Sequence, residues 1–248
     1  MKQRLSFRVG EFLYRNAYPV YRPLYFSYKR IVDRGEINLI RSLVRPGDVV
    51  LDIGSNIGFY SRMLSDLAGA AGEVHCFEPD KDNFRHLAET IGNRTNVTLN
   101  NMAVGDYTGE SELYISHRLN VDHRTYEPEK YEYVYSIQMI RIDDYIPHGK
   151  KVNFIKMDIQ GGEYKALLGM TNTLGSNPNI AVLTEFAPSF FKRDAGIEPD
   201  AFIDFFINSG FRLFSLKNKE LQPFKLRDAS MMFDEFYENI FAIRDQDI

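Results

Sequence analysis

The chain has 248 residues, 44% of them apolar with 19 Phe and 15 Tyr, and a formal net charge of −4; that is enough for a sizeable core, and α/β units of this length often stay single. A lone cysteine, Cys76, excludes an internal disulfide and Cys-rich metal sites and suits a reducing, cytoplasmic setting. No run reaches the roughly 18 apolar residues of a membrane span, and no signal-peptide apolar region is visible.

The charge is unevenly spread. Residues 1–46 carry ten Lys or Arg against Glu11, Asp33 and Glu36, a surplus of seven, so the remainder carries minus eleven. Residues 1–30 interleave this charge with Phe7, Phe12, Tyr14, Tyr18, Tyr21, Tyr25, Phe26 and Tyr28, and Pro19 and Pro23 are expected to break the segment into short helices. Such a segment reads as a lid over a cleft, as a peripheral contact with an anionic membrane, or as a site for an anionic acceptor. An amphipathic helix is expected over 34–44, ended by Arg45-Pro46-Gly47-Asp48. Residues 1–46 are therefore set apart as an N-terminal extension from a main domain over 47–248.

Strand and helix then alternate. Val49–Ile53 is a short apolar run, followed by a helix from about Gly58 to Ala68, a strand at 73–78, a helix at 82–91 and a strand at 97–99. Further strands are expected at 152–157, 180–185, 211–216 and 240–243, with helices at 163–174 and 199–209. Residues 104–147 interrupt the rhythm with two strands, 110–116 and 136–141, around a polar loop, and read as an antiparallel insert. The alternation predicts a mostly parallel sheet with helices on both faces, with ligands beyond the carboxyl ends of the strands.

The densest signal is Val49-Val50-Leu51-Asp52-Ile53-Gly54-Ser55-Asn56-Ile57-Gly58-Phe59-Tyr60-Ser61. A strand enters a small-residue turn and then a helix, whose first N–H groups lack partners. The glycines depart from the G-x-G-x-x-G of a nicotinamide fold. The acid at the strand end would repel a diphosphate but suits the amino group of a methionine moiety. Glu78 ends the next strand, about 20 residues past the glycines, where an acid holds ribose hydroxyls.

These stretches, with Asn101-Met102-Ala103-Val104-Gly105-Asp106 and Ile155-Lys156-Met157-Asp158-Ile159-Gln160-Gly161-Gly162-Glu163, resemble the FkbM family of methyltransferases over roughly residues 46–215. The resemblance implies a Rossmann-like, class I methyltransferase fold with a seven-stranded sheet, S-adenosylmethionine as cofactor, and O-methylation of a sugar, glycan or related acceptor. It implies that Asp52, Gly54, Asn56 and Gly58 surround the methionine part of the cofactor, with Ser55 and Tyr60 beside them. Glu78 would hold the ribose, Ala103 would lie against the adenine, and Asp158 would stand near the reacting methyl. Gln160 stands where the family has an acid, and Glu163 either replaces that acid in part or favours the helix dipole.

Asp158 and His123 are the candidate bases for deprotonating an acceptor hydroxyl, and an N-cap role is the structural alternative for Asp158. The polar loop at 117–126 offers Asn120, Asp122, His123 and Arg124 as acceptor contacts, with Glu185 at the end of the fifth strand. A Mg²⁺ between Asp158 and Glu185 is the less favoured alternative, since Gln160 removes one anionic ligand. Two other function classes stay open: an RNA-binding or nucleic-acid-methylating protein on the same fold, and an inactive cofactor-binding scaffold.

Overall fold

The structure is a computed structural model that describes residues 2–116, 123–193, 196–217, 220–224 and 237–244. It opens with three helices, α1 (Lys2–Asn16), α2 (Tyr18–Val32) and α3 (Arg34–Leu43). Pro19 and Pro23 do not cut the segment into short helices as expected. Pro19 sits in the first turn of α2, where its missing N–H is no loss, and Pro23 is accommodated inside the helix. Pro23 lacks only the hydrogen bond that would run back to the carbonyl of Pro19, still near the solvent-exposed start of the helix.

The strand–helix alternation follows: β1 (Val49–Ile53), α4 (Phe59–Ala68), β2 (Glu73–Phe77), α5 (Lys81–Ile91) and β3 (Val97–Asn100). After the insert come β7 (Phe154–Met157), α7 (Glu163–Leu168), α8 (Thr171–Ser176), β8 (Ala181–Phe186), α9 (Pro188–Arg193), α10 (Pro199–Asn208), β9 (Arg212–Lys217), β10 (Glu220–Pro223) and β11 (Glu238–Ile243). The sheet order is β10-β9-β11-β8-β7-β1-β2-β3, with β3, β2, β1, β7 and β8 parallel and β11 antiparallel between β8 and β9. The sheet has eight strands rather than seven; the eighth, β10, is an edge strand carrying Pro223, whose missing N–H an edge tolerates.

Period-two alternation along the strands feeds two cores. Leu51, Ile53, Ile155 and Met157 pack with Leu167, Phe202 and Phe206 on one face. Val50, Val74, Cys76 and Phe154 pack with Ile40, Leu64 and Leu87 on the other. Asp52 falls on the second face, toward α4.

The single helix expected over 163–174 is two short ones. A Cβ at Gly169 would lie 1.9 Å from the carbonyl oxygen of Gly105, so the insert's backbone occupies the space at the break. The insert itself, β4 (Ala103–Val104), β5 (Gly109–Ile115), β6 (Tyr133–Ile140) and α6 (Ile142–Tyr145), forms a separate three-stranded sheet of order β4-β6-β5. It is only partly antiparallel, because β4 pairs with β6 in parallel.

α1 and α2 lie over the helices that follow β1 and β2. Tyr14 Oη donates to Asn83 Oδ1 at 2.8 Å, and Tyr18 stacks on the His86 ring of α5 at 3.4 Å. Phe26 meets Phe59 of α4 edge to face at 5.2 Å.

Candidate active site

The strand register builds the site. Ile53 is level with Phe77 of β2 and with Met157 of β7, and Met157 is level with Thr184 of β8. The residues that follow, Gly54, Glu78, Asp158 and Glu185, therefore stand in one row along the carboxyl edge of the sheet. A cleft of about 640 Å³ opens over Gly54, Glu78 and Asp158, with Glu185 outside its lining, within the range of small-molecule sites. The turn after β1 forms its floor, Met102 and Ala103 one apolar wall, and α1 and α2 its roof through Leu13, Tyr25 and Lys29.

The turn is fixed from behind. Gly54 and Ser55 both donate backbone N–H groups to the carbonyl of Phe77 at 3.0 Å, and the N–H of Asp158 donates to the carbonyl of Ile53. Gly54 has a positive φ, and a Cβ there would lie 2.0 Å from the Asp158 carbonyl oxygen. Asn56 also adopts positive φ, which Asn tolerates better than most residues. Its side-chain oxygen accepts from Ile57 N, and its own N–H donates to Glu78 Oε2 at 2.8 Å.

Not every residue read from the turn faces the cleft. Gly54, Ser55, Asn56 and Tyr60 do; Asp52 and Gly58 do not. Asp52 is fully buried behind the turn, where Ser61 Oγ donates to its Oδ2 at 2.5 Å. Burial raises its pKa, against the pull of Lys156 and two serine hydroxyls. A Cβ at Gly58 would meet Leu87 and Thr90 of α5. Helix packing and its positive φ are sufficient reason for that glycine.

Glu78 lines the cleft while its oxygens accept from the N–H groups of Asn56 and Asp80. Burial pushes its pKa up to about 8. Ala103 and Met102 offer a flat apolar surface on the far side.

Asp158 lines the cleft and is not a helix cap. The N-cap of α7 is Gly162, and the buried Glu163 carboxylate holds the loop by accepting from Ile159 N at 2.9 Å and Gly161 N at 2.8 Å. Asp158 instead faces Lys156 Nζ at 3.4 Å and Gln160 Nε2 at 3.0 Å. Burial pushes Asp158 up, but the ammonium groups of Lys156 and Lys29 and the Gln160 amide outweigh it and hold the carboxyl below its ordinary range.

Gln160 also donates to Glu185 Oε2 at 3.3 Å, so one amide bridges the two acids. Burial, with the charges of Asp158 and Glu163, pushes Glu185 up to about 9. The space between the two carboxylates is filled by an N–H donor, which does not suit a cation. Among the described residues no group of three or more His, Cys, Asp or Glu is gathered as a metal site.

The insert closes the remaining wall. His123 and Thr125 line the cleft, and Tyr126 Oη donates to the Gln160 carbonyl at 2.7 Å. His123 Nδ1 accepts from Ser116 N at 3.2 Å, which leaves the proton of the neutral ring on Nε2. Arg124 points elsewhere, its guanidinium 4.3 Å from the Phe190 ring centroid. Asn120 and Asp122 lie outside the described residues.

Two lysines were not read from the sequence as site residues. Lys156 is nearly buried and level with Asp52 across the β1–β7 pair, so it stands between one acid behind the turn and another in the cleft. A basic residue inside an apolar strand run, beside a buried acid in the neighbouring strand, was the available signal. Lys29 enters from α2, which only the packing of the N-terminal helices discloses. The two ammonium groups lie 5.0 and 5.4 Å from the centroid of the Tyr60 ring, and Tyr60 Oη donates to Asp33 at 2.6 Å.

Over 148 residues the chain is 31% identical to the hexuronic acid methyltransferase AglP of Haloferax volcanii, covering 58% of this chain and 59% of that one. Over 153 residues it is 26% identical to the 2-O-methyltransferase NoeI of Sinorhizobium fredii, covering 55% and 63%. The matched part thus spans about six tenths of the length of these curated relatives. In fold the chain is similar to a protein from Streptococcus mutans described as a methyltransferase and solved in complex with SAH, with a TM-score of 0.50 at 11% identity over 84% of this chain and 94% of that one. The Methyltransferase FkbM domain model matches residues 52–213, well over half of the chain, and the protein belongs to that family.

Proposed function

We propose that the protein is an S-adenosylmethionine-dependent O-methyltransferase acting on a hydroxyl of a sugar or glycan. The observation that carries this reading is the single cleft that joins a nucleoside-sized pocket to an ionised Asp158. Glu78 fits a ribose: hydroxyl donors would favour its charged form, which burial disfavours. Phe77, Met102 and Ala103 give an apolar seat for an adenine. The backbone of residues 54–57 and the side chain of Asp158 would hold the methionine part. The acceptor class comes from AglP and NoeI, which are named for a hexuronic acid substrate and for 2-O-methylation.

S-adenosylmethionine, when bound, supplies an electrophilic methyl group on a sulfonium. This chain's residues have to align an acceptor oxygen and manage its proton, so positioning carries much of the rate. Asp158 is ionised at neutral pH; it would accept a hydrogen bond from the acceptor hydroxyl and take up its proton as the O–H bond breaks and the methyl passes from sulfur to that oxygen. Gln160 holds Asp158 in place and keeps the protonated Glu185 from competing for it. His123, on the insert's wall of the cleft, would contact the acceptor. The roofing helices exclude water from the pocket.

The test pairs calorimetric titration with SAH against an assay of methyl transfer to uronic-acid-containing and neutral oligosaccharides, read by mass. Binding of SAH without NAD, and a one-methyl gain on a saccharide, are expected. Asp158→Asn should lower kcat/KM about 100-fold with the midpoint of unfolding little changed. Absence of SAH binding sinks the assignment. An equal loss of stability and activity in Asp158→Asn would make Asp158 structural.

A further inference from the structure

Among the described residues nothing covers the outer face of α2. Val20, Leu24, Tyr28 and Ile31 recur at helical spacing along it and are 53, 57, 59 and 76% exposed. Val9 and Phe12 of α1 are exposed as well. Isolated apolar residues on a surface need no explanation, but a stripe along a helix does. This stripe runs to the mouth of the cleft, because Val9, Leu24 and Tyr28 also line it.

The charge around the stripe identifies what covers it. Between Glu11 and Asp33 there is no acid, Arg22 and Arg30 lie on α2, and Arg30 and Arg34 are exposed at the end that carries Ile31. An apolar helix face with tyrosines and flanking arginines is the chemistry of a helix lying in a lipid headgroup region. A second copy of the chain would bring the same positive surplus to the interface, and like charges facing each other oppose association. The remainder of the chain, with its net charge of minus eleven, would be turned away by an anionic surface, which orients the molecule with α2 downward.

We propose that the outer face of α2, with the adjoining end of α1, docks on an anionic lipid bilayer. Docking sets the mouth of the cleft at the membrane surface, so that the acceptors reached are saccharides anchored there. This acceptor corollary rests on the methyl-transfer reading of the cleft; the docking itself does not.

The experiment is co-sedimentation with vesicles of phosphatidylcholine alone or with about 30% phosphatidylglycerol. The full chain should sediment with the anionic vesicles and be released as salt approaches about 1 M, where the screening length is about 3 Å. Val20→Glu/Ile31→Glu changes two side chains that do not line the cleft; it should abolish vesicle binding and leave SAH affinity intact. Arg30→Glu should weaken vesicle binding about tenfold. Equal recovery with and without anionic lipid, or full vesicle binding by the double variant, overturns the proposal. So does a dimer in light scattering that the double variant dissociates, since the face would then belong to a second copy. Vesicle binding without SAH binding would leave the docking standing and remove the enzymatic reading instead.

Discussion

A Cβ at residue 54 would stand 2.0 Å from a backbone oxygen, and one at residue 58 would stand 2.9 Å from the tip of a leucine. Both positions have positive φ, yet the consequences differ, because the Asp158 carbonyl is backbone whose own N–H is tied to Ile53, whereas a leucine methyl at a side-chain tip can give way. Gly54→Ala should cost roughly 3 kcal/mol or more and displace Asp158, so urea midpoint and SAH affinity fall together. Gly58→Ala should cost about 1–2 kcal/mol and leave SAH affinity of the folded protein unchanged. Lost SAH affinity in Gly58→Ala at wild-type stability would put the cofactor against residue 58 and contradict the packing reading. The same contrast applies to the acids. Asp52 and Asp158 are two strands' terminal acids a few residues apart in space, but Ser61 and the second core hold one while the cleft receives the other. Lys156 sits between them and biases both toward the charged form.

Among the elements, α2 decides whether the cleft is a pocket or an open edge. It is anchored by Phe26 against Phe59 and by the hydrogen bond that Tyr60 donates to Asp33 at its C-cap. Phe26 is buried and lies outside the cleft. Phe26→Ala should therefore remove about 3–5 kcal/mol of packing from the α2 contact and weaken SAH binding without touching the ligand. Hydrogen exchange should quicken in α2 while β1 and β7 stay protected; unchanged SAH affinity would mean that α2 is no wall of the site. The strand-to-helix turns after β1 and β2 were legible because apolar runs, small residues and a terminal acid coincide within a dozen residues. Asp158 was legible for the same reason. The break at Gly169 was not, since the atom that forces it belongs to Gly105, far away in sequence. The antiparallel pair of the insert was legible, but not its third strand, the two-residue β4, which gains its identity only by pairing with Met139 and Ile140. Pro23 misled the helix reading because the carbonyl it orphans lies near a solvent-exposed helix start. At Gly58 a sequence pattern cannot distinguish space reserved for a cofactor from space reserved for α5, and the structure adds the packing against Leu87 and Thr90.

For the molecule as a whole, the site gathers carboxyls that the fold biases toward the protonated form. Burial is the main cause for Glu163, pushed up to about 7, for Glu78, up to about 8, and for Glu185, up to about 9. In the unfolded chain these groups titrate near their ordinary value of 4.5. The folded state therefore binds more protons than the unfolded state between those limits, and stability must fall as pH rises through the window. The contribution of each group is fully present below 4.5 and is lost on passing its folded pKa. Asp158 has the opposite sign: held low, it stabilises above its ordinary range and is lost only in acid. The protein without added ligand should thus melt at a higher temperature near pH 6 than near pH 9. Glu185→Gln, which keeps the shape and the place beside Gln160, should flatten the alkaline end of that slope. SAH affinity should run the other way and strengthen from pH 6 to 9, because ribose hydroxyls donate to the ionised form of Glu78. Glu78→Gln should remove that rise while leaving the alkaline slope in melting temperature due to Glu185. A melting temperature that is flat from pH 6 to pH 9 would mean that the row of acids is ionised in the folded chain, with Lys29 and Lys156 compensating their burial, and Glu185 could then compete with Asp158 for the acceptor proton.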